Sequence, residues 1–190
     1  MNPIPVLLAA FGIGLAAAAA ADHAAEVGKP GDVTPLFDCS YINFAYGFVM
    51  SGWYVDADGG IYRYAHDSKG RWMPESVTEA GVGYRMQADL ERQYAARERI
   101  GSVDDAVLQA MAGRIPAAAG GTVGHADGGA RDAGSSSCTA YLADPGKARY
   151  RKVELGSLPG ANDGVTSNTS ADANALLEWL RSLRRKQSTD

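Results

Sequence analysis

Two runs of β-branched and aromatic residues, Phe48–Val55 and Ile61–Tyr64, flank the segment Asp56–Gly60. Asp side chains cap turns and tolerate left-handed backbone, and Gly adopts positive φ at no steric cost. This pattern predicts a β-hairpin, and it is the strongest local signal in the chain. The apolar, aromatic segment Cys39–Tyr46 predicts another strand before it. Large apolar side chains alternate onto both faces of the hairpin, so we expect helices over one face and partial cover over the other.

A pair of helices is predicted in the middle of the chain. From about Met86 the apolar period changes from two to nearer four, and Met86, Leu90 and Tyr94 form a helical stripe. Gly101 is expected to end this helix. Ser102–Asp105 resembles a capping box and predicts the start of a second helix. Because so few residues separate the two, the pattern predicts an αα-hairpin.

A second hairpin and a terminal helix are predicted in the last third of the chain. The run Cys138–Leu155 contains two apolar arms around Asp144–Lys147, whose proline suits a turn. Thr169 or Ser170 then caps a helix whose apolar residues recur at helical spacing. These residues are Leu176, Trp179, Leu180 and Leu183.

The predicted order is strand pair, helix pair, strand pair, helix. This order favours an α+β fold with a mainly antiparallel sheet of about four or five strands and helices packed on one face. We expect one domain over residues 38–185, after an irregular lead-in over 22–37 and before a tail over 186–190. Residues 117–137 are rich in Gly, Ala and Ser and predict a flexible loop within the domain.

The composition and net charge of the chain argue against a nucleic-acid partner. The 190 residues are 46% hydrophobic and 21% charged, which is ordinary for a single globular domain. The net charge of −4 includes no basic excess of the kind that binds nucleic acid. We therefore expect no nucleic-acid partner.

The first 21 residues have the composition of an export signal. Val6–Ala21 is uncharged, begins with large apolar side chains and ends in alanines. It is shorter than the roughly 20 apolar residues that span a membrane. The start of the chain lacks the usual Lys or Arg, but small residues permit cleavage after Ala20 or Ala21. Residues 1–21 therefore predict a signal peptide, and the mature protein is expected in the periplasm or outside the cell, with no membrane span.

Export would place the two cysteines in an oxidising compartment. Cys39 and Cys138 are the two cysteines of the chain. In an oxidising compartment an even pair favours a disulfide, whereas two buried free thiols are the alternative. The sequence therefore predicts a Cys39–Cys138 bridge.

Asp and His side chains in predicted turns and loops are the candidates for catalysis or metal binding. Asp56 and Asp58 resemble the start of a calcium loop, but strand-forming residues occupy the later ligand positions, which favours a turn. No HExxH or CxxC motif accompanies His66 or His125. The sequence therefore assigns no catalytic residue and no cofactor. A small secreted hydrolase that uses these four side chains remains the alternative to a binding function.

One conditional metal site lies near the predicted cleavage point. If cleavage follows Ala20, the mature chain begins Ala21-Asp22-His23. A free amine, two deprotonated amides and an imidazole at the third position can bind Cu(II) or Ni(II) in a square plane. Cleavage after Ala21 would destroy this arrangement.

Aromatic residues are the remaining functional signal. They crowd one third of the chain and include Trp53, Tyr54, Tyr62, Tyr64 and Trp72. On an exposed sheet face they would form a surface for an envelope or extracellular protein, a peptide or a glycan. The alternative is that they form the core of the sheet. Together these features predict an exported, bacterial-type protein that acts as a non-catalytic binding or inhibitory module.

Overall fold

The computed structural model describes residues 33–45, 47–67, 72–126, 134–144, 146–158 and 165–187. Within them the chain forms ten strands, three helices and one single-turn helix. The strands are β1 (Pro35–Asn43), β2 (Val49–Asp56), β3 (Gly60–Asp67), β4 (Val77–Glu79), β5 (Val82–Met86), β6 (Glu98–Ser102), β7 (Val123–Ala126), β8 (Ser135–Asp144), β9 (Arg149–Ser157) and β10 (Val165–Asn168). The helices are α1 (Gln87–Gln93), α2 (Asp105–Ala112), the single turn α3 (Ile115–Ala118) and α4 (Ala171–Gln187).

The strands form one sheet in the order β4-β5-β9-β8-β1-β2-β3-β6. Strand β10 pairs with β7 and β9 beside this path. The pairings between named strands are antiparallel. Strand β1 lies between β2 and β8, so the two long hairpins β2–β3 and β8–β9 flank it.

The prediction of four or five strands with helices on one face is wrong. The five additional strands, β4, β5, β6, β7 and β10, have three to five residues each. Strands this short carry too few alternating residues to produce a pattern, and pairing with a longer neighbour stabilises them. Helices also lie on both faces, because α1 buries Leu90 on the face opposite to the one that α4 covers.

The predicted αα-hairpin is also wrong. Helix α1 ends at Gln93, and the segment before α2 forms β6, which pairs with the edge of β3. Asp104, rather than Ser102, caps α2, since its carboxylate accepts hydrogen bonds from the backbone N–H groups of Ala106 and Val107.

The hairpin predicted around Asp56–Gly60 is confirmed. Strands β2 and β3 pair up to Val55 and Ile61 on either side of the turn. The Asp56 carboxylate accepts hydrogen bonds from the backbone N–H groups of Asp58 and Gly60, at 3.1 and 2.7 Å. Gly59 has a φ of 79°, a conformation that glycine adopts without strain.

The second hairpin and the terminal helix are confirmed as well. Strands β8 and β9 pair from Ser137 to Asp144, around the predicted turn. Helix α4 begins at Ala171, and the hydroxyl of Ser170 accepts hydrogen bonds from two of its first N–H groups. The buried residues of α4 include Leu176 and Leu180, which belong to the predicted stripe.

Several predicted segments fall partly or wholly outside the described residues. The signal peptide and His23 lie before residue 33, and the tail over 186–190 is described only at its start. The Gly- and Ala-rich segment 117–137 contributes the end of α3, strand β7 and the start of β8, whereas residues 127–133 are outside the described part. Strand β1 starts at Pro35, four residues before the strand predicted from Cys39.

The sheet separates two hydrophobic cores. The α4 face carries Phe37, Val55 and Leu155 against α4 and the shorter helices α2 and α3. The α1 face carries a tyrosine-rich cluster with Leu90 of α1. The members of this cluster include Tyr54, Tyr64, Tyr94 and Tyr141.

The disulfide between Cys39 and Cys138 is confirmed. These residues are direct partners in the antiparallel pairing of β1 and β8, with a Cα–Cα distance of 4.1 Å. Both side chains are buried within the core of the α4 face. The bond joins residues 99 positions apart and ties the central strand β1 to the β8–β9 hairpin.

Candidate ligand-binding groove

A groove of about 1100 Å³ lies on the α4 face, where the helices leave part of the sheet uncovered. Its floor contains Trp53 of β2, Ile61 of β3 and the disulfide residue Cys39. Specific sites for small ligands and chain segments are usually concave, mostly apolar and about 300–1,000 Å³ in volume. This concave surface is called the groove below.

The walls of the groove come from two helices. Helix α4 contributes Trp179 and Leu183, and the ring of Trp179 meets Phe37 edge-on at a centroid distance of 5.0 Å. Val107 of α2, which is 41% exposed, also lines the groove. Aromatic and aliphatic side chains on rigid elements thus form a preshaped apolar surface.

Polar groups lie along the rim of the groove. Arg63 and Glu98 form an ion pair at 2.7 Å, and their side chains are 65% and 50% exposed. An exposed pair contributes little to stability because water screens it, so both groups are available to a ligand at small cost. Hydroxyl groups at the rim come from Ser51, Ser136 and Ser182.

Strand β6 borders the groove and forms one end of the sheet. Among the described strands it pairs with β3 alone. Its pairing contains a bulge at Ile100, since Ile61 opposes Gly101 and Tyr62 opposes Arg99. A bulge and charged side chains are devices that protect an edge strand from indiscriminate pairing.

A buried polar network occupies the opposite, α1 face. The carboxylate of Asp38 accepts hydrogen bonds from the hydroxyls of Tyr64 and Tyr94, at 2.7 and 2.5 Å, and a longer one from the Gln93 amide. Asp38 is 2% exposed. Burial raises the pKa of Asp38, and the hydroxyl bonds and the charge of Arg85 oppose this rise without cancelling it.

The same burial keeps the surrounding phenols neutral. Burial and the nearby Asp38 charge raise the pKa values of Tyr64 and Tyr94 well above their ordinary value, and that of Tyr141 as well. The hydroxyls therefore act as hydrogen-bond donors at any physiological pH. This network was missed at the sequence level, where its one signal was a carboxylate inside the apolar run of β1.

The five aromatic residues of the predicted binding surface do not share one face. Trp53 lies in the groove, whereas its neighbour Tyr54 points to the α1 face, as adjacent residues of a strand must. Tyr64 is buried there, and Tyr62 and Trp72 are partly buried against the same cluster. Of this set, Trp53 and Tyr64 border the groove, but the ring of Tyr64 packs against Tyr54 and Tyr94 on the α1 face.

The four polar side chains of the hydrolase alternative do not meet. Asp56 and Asp58 are at the β2–β3 turn, while His66 is near the far end of β3, roughly 20 Å along the strand at about 3.3 Å per residue. His125 lies on β7, which joins the sheet through β10 on the far side of β1. The fold therefore gives these residues no common cleft.

The groove also includes residues that the sequence did not single out for function. Trp179 and Leu183 belong to the apolar stripe of α4, and that stripe does not distinguish side chains facing the core from those facing the groove. Val107 and Ile100 come from different elements, and no local pattern connects them.

Neither a cluster of metal-ligating side chains nor a membrane-spanning helix occurs in the part of the chain described. Over those residues, His, Cys, Asp and Glu side chains form no group of three or more that could hold a metal ion. Likewise, none of the helices within the described ranges is long and apolar enough to cross a membrane.

Comparisons with known proteins give no relative from which to transfer a function. Neither a protein-family model, nor a curated protein, nor a solved structure matches this chain.

Proposed function

We propose that this protein is an exported, non-catalytic binding module and that the groove receives its ligand. The observation that carries the proposal is the apolar groove itself, which lies beside a covered core and is left open by the described residues. Its lining residues stand on two helices and five strands, so the shape of the surface is set by the fold. A preshaped site reduces the entropy that binding must overcome.

The ligand is a peptide segment of an extracellular or envelope protein. Strand β6 offers backbone donors and acceptors beside the groove, and an extended peptide is the ligand that can use them. A peptide strand there would direct alternate side chains into the groove over Trp53 and Ile61. The bulge at Ile100 restricts such pairing to sequences that fit it. Trp53 is only 9% exposed, which leaves little ring surface for stacking a sugar and disfavours a glycan.

Export is supported by the composition of residues 1–21 and by the buried disulfide, which is typical of oxidising compartments. Intact mass of the protein from its native host, before and after reduction and alkylation, tests this part. We expect a chain that lacks residues 1–20 or 1–21 and gains two alkylated thiols only after reduction. A full-length mass would overturn the proposed localisation.

Two valines permit a matched test of the groove. Val107 lines it and is 41% exposed, whereas Val165 on β10 is 51% exposed and lies outside it. Random decapeptides are selected on the wild-type protein by display, and the dissociation constants of the selected peptides are measured for Val107→Arg and Val165→Arg. Loss of a valine contact is worth about 1.5 kcal/mol, so Val107→Arg is expected to weaken binding at least about tenfold. Val165→Arg is expected to leave it within about twofold.

Pairing of the peptide backbone with β6 can be measured separately in the same complexes. Amide hydrogen exchange of β6 should slow when a selected peptide binds, because backbone N–H groups on the side away from β3 would then donate to the peptide. If no peptide is selected, or if the two arginine variants weaken binding equally, the groove is not a peptide site. Unchanged exchange in β6 would refute the strand-addition geometry.

A further inference from the structure

Helix α1 is a short cover over the buried carboxyl group of Asp38. It has seven residues, no side chain caps its N-terminus, and its buried residues are Leu90 and Gln93. Isolated helices of this length are marginal in water, so α1 remains folded because it packs on the sheet. The equilibrium between packed and detached α1 therefore decides how often water reaches Asp38.

Gln93 is the residue of α1 that contacts this carboxyl group, and its own hydrogen bonding is incomplete. Its Nε2 lies 3.4 Å from Asp38 Oδ2 and 3.3 Å from Tyr64 Oη. Its carbonyl Oε1 is buried and accepts no hydrogen bond from the described residues. A half-turn of the amide would put Oε1 in the place of Nε2, and a shift of about 0.5 Å toward Asp38 would then bring it within the range of an O–H···O hydrogen bond. A protonated Asp38 has an O–H to donate to that acceptor, whereas an ionised Asp38 has none.

We propose that α1 is a pH-dependent latch held closed by a protonated Asp38 that donates its O–H to Gln93 Oε1. When Asp38 loses this proton to water, the charge is left in a buried site that water does not reach, and detachment of α1 lets water solvate it. Opening therefore becomes easier as the pH rises. This latch lies on the face opposite to the groove, so it stands independently of the proposed binding function.

The groups around Asp38 set the pH at which the latch responds. From β3 and the end of α1, the hydroxyls of Tyr64 and Tyr94 favour the ionised form, as does Arg85 on β5. Burial is the larger influence and raises the pKa of Asp38 while α1 is closed. Once α1 is open, the pKa of Asp38 falls toward its ordinary value. Because the open form therefore binds the Asp38 proton more weakly than the closed form, the population of the open form must increase with pH. The other titratable neighbours, on β2, β8 and β9, are Tyr54, Tyr141 and Lys152.

Hydrogen exchange of α1 as a function of pH tests the latch. The reporter is the backbone N–H of Tyr94, which donates to the carbonyl of Leu90 at 3.0 Å. After correction for the intrinsic exchange rate, its protection should decrease with rising pH through one midpoint. In Asp38→Asn this dependence should disappear. Nuclear magnetic resonance of the Gln93 side-chain amide should change with the same midpoint, because the amide rotates as Asp38 titrates.

Two tyrosines on the same strand and face provide a control that does not require Asp38→Asn to fold. Tyr64→Phe removes a donor to the ionised carboxylate, so the midpoint should move upward by about one pH unit, as for a tenfold change. Tyr62→Phe removes a hydroxyl that interacts with Asp56 and should leave the midpoint unchanged. Protection without a midpoint between about pH 4 and 9 in the wild type, or equal midpoints in both variants, would overturn the proposal.

Discussion

The disulfide offers the sharpest test of how strand β1 is held to the β8–β9 hairpin. Its residues, Cys39 and Cys138, are 99 positions apart, so the bond restricts the unfolded chain over a closed loop of about 100 residues. In the chain-entropy description, closing such a loop removes conformational freedom worth about 4.7 kcal/mol at 25 °C. A single domain is stable by only about 5–15 kcal/mol. Reduction should therefore lower the folded-to-unfolded ratio by a factor of about 10³.

Urea unfolding followed by circular dichroism, with and without reductant, measures this effect. Reduction leaves both sulfur atoms in place, so it isolates the cross-link from the packing of the side chains. We expect the free energy of unfolding to fall by about 3–5 kcal/mol. The urea dependence should steepen, because an unfolded chain without the cross-link exposes more surface.

A double variant, Cys39→Ala with Cys138→Ala, separates the two contributions. Its loss should equal that of reduction plus a smaller amount for the missing sulfur atoms, since both residues are buried in the core of the α4 face. A loss on reduction below about 1 kcal/mol, with an unchanged urea dependence, would contradict stabilisation by loop closure. It would mean that β1 and β8 remain associated in the unfolded chain without the bond.

Two further perturbations test the packing and the electrostatics of the sheet. Gly52→Ala should cost more than about 2 kcal/mol in urea unfolding, because its Cβ would lie 2.3 Å from the carbonyl oxygen of Cys39. In the matched variant Gly101→Ala, the Cβ would meet only the end of a side chain at 3.6 Å, and the cost should stay below about 1 kcal/mol; equal costs would contradict the close approach of β1 and β2. The wild-type free energy of unfolding should also decrease as the pH rises from about 4, since the folded state holds the Asp38 proton more tightly than the unfolded state does. Asp38→Asn should lose this component of the pH dependence, whereas Asn in place of the exposed Asp58 should retain it.

Local sequence predicted those elements whose stability is largely decided within a few residues. The β2–β3 turn requires a carboxylate and a glycine at fixed positions, and Asp56 and Gly59 supply them. Helix α4 has a side-chain cap at Ser170 and a long apolar stripe, both of which are visible along the chain. The disulfide could be predicted because the chain has two cysteines and is expected to fold in an oxidising compartment.

The short strands could not be predicted because their stability comes from their partners. Glu98–Ser102 contains two charged residues and one glycine, and it becomes strand β6 since the edge of β3 satisfies its backbone groups. The helical stripe of apolar residues extends to Tyr94, yet α1 ends at Gln93. The residues that follow are more stable paired with β3 as strand β6 than as a continuation of the helix.

The sequence by itself determined the turns, the terminal helix, the disulfide and the antiparallel character of the two long hairpins, because each depends on residues that are close in the chain or on one unique pair. Tertiary structure alone decided that Trp53 and Tyr54 face different cores, and that Trp179 and Val107 meet around one groove. It also decided that Asp38 is enclosed by hydroxyls from distant elements. Such sites depend on which faces of remote strands and helices come together, and residue spacing along a single chain does not record that.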